Sequence, residues 1–218
     1  MQVAEEKVVR AAARKVFSPL KLLHRNESLV WMDDNGFFLT LVEFQPGSAP
    51  NSVSLNMGVS FLWNQKDYLT FDFGYREKAY IHCPDEVALY KEAAGLARYA
   101  KERVLGYRKL RVLSCARRQM FAPDFRPSGL WGDWDRAMVA ILCGDCETGR
   151  EYLERFFDYT PNEVWEAEWL DRYRFLISAC FHDDEKLKAL VLELIADRRK
   201  KLRRMRGLEK LRQDPVYG

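Results

Sequence analysis

The sequence lacks most of the features that announce a chemistry. It has no G-x-x-x-x-G-K-[ST] loop and no G-x-G-x-x-G turn, so it encodes no glycine-amide cradle for a phosphate. It also has no G-x-S-x-G elbow and no H-E-x-x-H helix. Its three histidines, His24, His82 and His182, fall in separate connections, none at i, i+4 from another. That leaves no ready histidine pair for a metal. The five cysteines are irregularly spaced, which suits reduced thiols better than a disulfide framework. No run of about 18 apolar residues is present, so no membrane span is expected. The opening Met-Gln-Val-Ala-Glu-Glu-Lys lacks the basic-then-apolar pattern of a secretory signal. The expectation is a cytoplasmic chain with no membrane contact, no bound cofactor and no nameable catalytic residue.

What is present is core-forming material. Hydrophobic residues make up 48% and aromatics 13% of 218 positions, too much for a disordered chain. The strongest pattern lies in residues 51–63. There Val53, Leu55, Met57, Val59, Phe61 and Trp63 alternate with Ser52, Ser54, Asn56, Gly58 and Ser60. Six apolar residues at period two bury together only on an extended strand.

Around this strand, residues 3–17 read as an amphipathic helix through Val8, Ala12 and Val16, stopped near Ser18-Pro19. Asp34-Asn35-Gly36 between apolar runs predicts a hairpin with both Asn35 and Gly36 at positive φ. The return strand, residues 37–45, is apolar on both faces and therefore central. Residues 69–75 alternate as a further strand, and residues 78–82 form a short last one.

Helices follow. One runs from about Pro84 to Gly106, with Val87, Tyr90, Ala94, Ala97 and Val104 as its buried stripe. A single basic helix spans 107–120. After a connection over 123–132, Asp133 caps a helix at 134–143 and Asp145 caps the next. Thr160-Pro161-Asn162-Glu163 opens another as a capping box. The last begins near Glu185. The fold class is α+β: an N-terminal helix, an antiparallel meander of four to five strands, and a C-terminal helical layer. The division falls at 1–83 and 84–218, or within one continuous fold.

Charge is segregated along the chain. Residues 197–218 hold nine Lys/Arg against three Asp/Glu, and residues 98–118 hold eight bases and one acid. Residues 133–196 hold fifteen acids and seven bases. The simplest account places basic helices against an acidic helical layer. The run Arg198, Arg199, Lys200, Lys201, Arg203, Arg204 could instead contact nucleic-acid phosphates. Because Leu202, Met205 and Leu208 keep an apolar spacing through it, a partly solvated amphipathic helix is the plainer reading.

Cys143-Gly-Asp-Cys146 is a C-x-x-C pair. Redox use would need a strand before it, and zinc would need further ligands, for which Cys180 and His182 are the available candidates. Two small buried residues are the simpler explanation. Trp131 and Trp134 flank a turn and serve either as core anchors or as a partner-binding hot spot.

The segment Val42-Glu-Phe-Gln45, a loop, then Ser52-Val-Ser-Leu-Asn-Met-Gly-Val59 resembles a bacterial family, domain of unknown function 4304. Phe44, Gln45, Asn56, Gly58 and Val59 are the matching positions, and Pro46-Gly47 replaces the Lys-Ser of that pattern. The resemblance spans residues 5–85 and implies an α+β fold, with no catalytic residue to carry over. Gln45 and Asn56 are the candidate binding residues on the sheet. The functional expectation is a non-enzymatic protein-interaction module, accessory or immunity-like, binding another protein or itself. Nucleic-acid binding through the basic helix and an enzyme with an unrecognised site are the alternatives.

Overall fold

The computed structural model describes residues 3–25, 27–66, 68–123 and 129–212. Residues 124–128 of the connection expected over 123–132, and Asp67 of the expected turn, lie outside the described residues. Helix α1 (Val3–Phe17) leads into strands β1 (Leu23–His24), β2 (Val30–Asp34), β3 (Phe38–Pro46), β4 (Ser52–Phe61) and β5 (Phe73–His82). Helices α2 (Glu86–Arg108), α3 (Leu113–Met120), α4 (Gly129–Leu142), α5 (Cys146–Phe157), α6 (Val164–Ser178) and α7 (Asp184–Arg203) follow. The fold is therefore α+β, with the five strands in one antiparallel sheet in chain order.

Register fixes the two faces of this sheet. Val42 lies opposite Met57 and Phe44 opposite Leu55. Their shared face packs Trp31, Val42, Phe44, Val53, Leu55 and Met57 against Val9, Ala12, Ala13 and Phe17 of α1 and Leu89, Ala93, Ala97 and Ala100 of α2. The small alanines let the two helices approach closely. On the other face Met32, Leu39 and Leu41 join a second core with α4, α5, α6 and α7. Only half of that outer face is covered. Its far end carries the half-buried Glu43, Gln45 and Asn56.

Several boundaries differ from expectation. The alternation through residues 69–82 resolves into one strand, β5, because Asp72 turns the chain by taking the Phe61 amide on its carboxylate (2.8 Å). Trp63 lies past β4, its ring stacked on Phe61 with centroids 4.6 Å apart. Only Gly36 in the hairpin has positive φ (87°), so the turn centres on Gly36-Phe37 instead of Asn35-Gly36. Asn35 is buried and spends its amide on the Asp33 carbonyl and the Thr40 hydroxyl.

In α2 the buried stripe is Leu89, Ala93, Leu96, Ala97, Ala100 and Val104, so Ala97 and Val104 are buried as expected while Val87 and Tyr90 point outward. Asp85, not Pro84, starts that helix, accepting from the Ala88 amide. The single basic helix breaks at Val112, whose extended backbone separates a 3-10 turn from α3. Helix α4 begins at Gly129, which places Asp133 inside it instead of at its cap. The capping box forms three residues late, between Glu163 and Glu166.

The basic helices meet the sheet more than the acidic helical layer. Arg108 grips Asp33 through Nε (2.9 Å) and Nη2 (2.8 Å), and Arg111 donates to Asn35 Oδ1 (2.7 Å) and to the Asp34 carbonyl (2.9 Å). Arg103 pairs with Glu77 of β5, whereas Arg117 reaches the helical layer, at Asp145. From the opposite side the fully buried Arg199 of α7 donates to Asp34, to the Gly36 carbonyl and to the Arg212 carbonyl.

Two close contacts are testable. Gly58 faces Gly74 so tightly that a Cβ on Gly58 would lie 2.5 Å from the Phe73 carbonyl oxygen. Gly58→Ala should cost roughly 1–3 kcal/mol in urea denaturation by overpacking. Arg199→Leu, which strands the Asp34 carboxylate, should cost about 3–5 kcal/mol, and adding Asp34→Asn should recover part of that loss.

Candidate functional site

The loop after β4 decides what lies over the open half of the sheet. Asp72 anchors it: one carboxylate oxygen takes the Phe61 amide, and the other takes Lys66 Nζ (2.8 Å) and Thr70 Oγ1 (2.9 Å). The Asp72 amide in turn donates to the Val59 carbonyl (2.8 Å). This arrangement holds Tyr68, Leu69 and Phe71 against the sheet. Phe71 covers Gly58, where its ring occupies the space a side chain would need.

Gln45 and Asn56 are brought together on this face. Asn56 Nδ2 donates to Glu43 Oε2 (2.8 Å) and Gln45 Oε1 (3.1 Å). Arg76 from β5 donates to the same Gln45 oxygen (2.7 Å), and its guanidinium stacks over Tyr80 at 4.5 Å. Beside this network lies a groove of about 190 Å³. Val30 and Leu41 of the sheet line it, together with Phe71, Tyr68 and Met205, and Arg25 and Glu43 supply charge. Tyr68 is 64% exposed, Tyr80 45% and Phe71 37%. Sequence reasoning found Gln45 and Asn56 but missed Tyr68, Phe71 and Tyr80. Phe71 read as part of the strand expected over 69–75 and Tyr80 as part of the one over 78–82, and the turn at Asp72 leaves Tyr68 and Phe71 in the loop before β5.

The two tryptophans part company. Trp134 is fully buried and donates to Asn64 Oδ1 (2.9 Å), which makes it a core anchor. Trp131 is half-buried, its ring 4.1 Å from Trp169 and nearly parallel to the exposed Trp165, with Lys66 Nζ 4.2 Å above its centre.

Next to Trp134 sits a residue the sequence reading passed over. Asp135 is fully buried, and its Oδ1 accepts from Trp63 Nε1 (2.7 Å) and Asn64 Nδ2 (3.4 Å). Its Oδ2 has no hydrogen-bond partner among the described residues. Burial, reinforced by the neighbouring Asp72 carboxylate, pushes its pKa well above the ordinary value, against the opposing pull of Trp63, Lys66 and Asn64. A signal existed: every other residue of 134–142 except Arg136 is apolar, and a helix apolar all round buries its acids with it.

The cysteine and histidine candidates are not gathered. Cys143 donates to the Leu113 carbonyl, Cys146 to that of Asp184 and Cys180 to that of Ile177, while His182 is exposed. Burial raises the pKa of all three thiols, the reverse of what a redox pair needs. Among the described residues no group of three His, Cys, Asp or Glu side chains is placed to hold a metal. The zinc alternative gains no support from this arrangement.

The basic run is corrected in part. Arg198 and Arg199 are buried, Arg198 donating to the Tyr68 carbonyl (2.8 Å), so they are structural. Lys200, Lys201 and Arg204 stay exposed and Arg203 is half-buried, with Lys201 Nζ 3.4 Å from Gln65 Oε1. No helix among the described residues is long and apolar enough to cross a membrane. Set against known proteins, the chain matches no family model, no curated sequence and no solved structure.

The raised pKa of Asp135 makes a signed prediction. A carboxyl that holds its proton more tightly when folded stabilises the fold at low pH. That contribution is lost as pH climbs from the ordinary carboxylate range through the raised folded pKa. Asp135→Asn has no such loss. Relative to wild type, the variant should therefore gain stability in thermal melts between pH 4 and pH 8, and a pH-independent difference would refute the assignment.

Proposed function

We propose that the chain is a non-enzymatic protein-interaction module of the cytoplasm whose binding face is the uncovered half of the sheet. The observation that carries this is the exposure of Tyr68 and Phe71 along one groove of the sheet, with Tyr80 exposed beneath Arg76 in the adjoining polar network. Aromatic side chains exposed together beside arginine are the side chains that carry most binding energy at interfaces. The reading favours an acidic partner with an apolar or aromatic anchor. Arg25 and Arg76 lie on the face, and exposed Arg204 and Arg206 flank Met205 of the groove in the chain. The single carboxylate there, Glu43, is already engaged by Asn56. An accessory or immunity-like role, in which another protein is held on this face, is a use it would serve.

Self-association by strand pairing is the weaker form of this proposal. At one edge β1 is only two residues long. At the other, β5 carries register shifts opposite Val53/Leu55 and Leu55/Asn56, with Arg76 and Lys78 among its exposed residues. Short strands, bulges and charged side chains are the devices that keep sheet edges from pairing. The cytoplasmic placement rests on five cysteines that are all free thiols.

The test is binding of arrayed acidic peptides, each bearing one aromatic anchor, with oligo(dT) run in parallel. Tyr68→Ala combined with Phe71→Ala should weaken the best peptide at least tenfold, with the melting temperature little changed. Preferential oligo(dT) binding with a steep salt dependence would shift the reading to nucleic acid. Peptide affinity insensitive to the double substitution, or no peptide binding at all, would overturn it.

A further inference from the structure

A second opening lies on the opposite side of β5 from the proposed partner face. It is a cleft of about 250 Å³ between Phe73 at the start of β5, the last turns of α2, the 3-10 turn that follows and the end of α3, lined by Arg103, Gly106, Tyr107, Leu110 and Gln119. Phe73, Leu110 and Gln119 also line an adjoining recess of about 20 Å³ whose other walls, including Phe38, Phe61, Ala116 and Met120, are wholly apolar. The opening is thus polar at its mouth and hydrocarbon at its end.

Gly106 is what keeps it open. It sits in the last turn of α2, where glycine weakens a helix relative to alanine. A Cβ built there meets nothing within 4 Å. The packing therefore does not require glycine at this place, and any longer side chain would project into the cleft. At the mouth, Arg103 is held in place by Glu77, whose carboxylate lies beneath the surface and also takes the Tyr99 hydroxyl. Arg103 is 44% exposed, so part of its guanidinium faces solvent. It stands in a segment with eight bases and one acid, which biases the local field toward anions.

We propose that this cleft is a binding site for a small anionic amphiphile, a medium-chain carboxylate whose head meets Arg103 and Gln119 and whose tail runs past Gly106 and Leu110 toward the apolar recess. At about 250 Å³ the cleft is below the roughly 300 Å³ at which drug-sized pockets begin, which sets the ligand's size. The inference does not depend on the sheet-face reading, since the two openings share no lining residue.

The test uses octanoate and octanol as probes, titrated by calorimetry into the intact chain. Octanoate should bind saturably at one site. Arg103→Gln should weaken octanoate about tenfold or more while leaving octanol nearly unchanged, as loss of a charge-assisted hydrogen bond requires. Gly106→Leu should abolish binding of both, and Gly106→Ala should fold at least as stably as wild type and serve as the control. Should Gly106→Leu fold poorly, nuclear Overhauser contacts from the octanoate tail to the Phe73 ring and Leu110 methyls in the wild-type protein decide the matter. Absent octanoate binding, undiminished binding to Gly106→Leu, or equal loss of octanoate and octanol in Arg103→Gln would each overturn the proposal.

Discussion

The rest of the structure depends on the grip of three arginines on the tip of the β2–β3 hairpin. Asp33 and Asp34 are consecutive on a strand, so they point to opposite faces of the sheet. Asp33 receives Arg108 from α2 on one face, and Asp34 receives Arg199 from α7 on the other. One dipeptide therefore ties both helical layers to the same turn. Arg199 is the demanding member, because a fully buried guanidinium loses its hydration. It is tolerable here because its donors are met by the Asp34 carboxylate and the carbonyls of Gly36 and Arg212. Non-polar packing would serve stability as well. A saturated ion pair at a fixed turn adds one allowed arrangement of α7 against the sheet.

That arrangement leaves the outer face half covered. Helix α7 reaches Gly36, Met205 after it lies by Leu41, and beyond them the sheet carries a hydrogen-bonded lattice of Glu43, Gln45, Asn56 and Arg76. Such a lattice is rigid because each side chain is held by its neighbours. Under the proposed interaction reading, a platform already held in this way would lose little further freedom on binding. The blunted edges on both sides leave this face as the sheet's open surface among the described residues.

Beneath the tryptophan patch the molecule keeps a different kind of polar group. Asp135 sits among Trp63, Asn64 and Trp134 with one oxygen bonded and the other unpartnered. The cost of burying its charge exceeds what two donors return, so the acid holds its proton more firmly than an ordinary carboxylate. It links the turn after β4 to α4, and through Asn64 it fixes the Trp134 indole.

By itself the sequence determined the element types. The period-two ladder of residues 53–61, the helical spacing of α1 and the cap Asp145 are local signals, because side-chain direction and backbone hydrogen bonding within a few residues decide them. Gln45 and Asn56 were legible for the same reason, as polar residues on a strand with an apolar opposite face. What only the tertiary structure decided were contacts far apart in the chain. The burial of Arg199 depends on a hairpin more than 160 residues away, and Arg198 donates to a carbonyl 130 residues away, which no local pattern encodes. The exposed aromatics of the 62–72 loop depend on where Asp72 bonds, and the cleft at Gly106 depends on how α2 meets β5. The sequence set which residues seek burial, and packing set which of them could have it, since an arginine or an aspartate is admitted to the interior only where distant partners already stand to satisfy it.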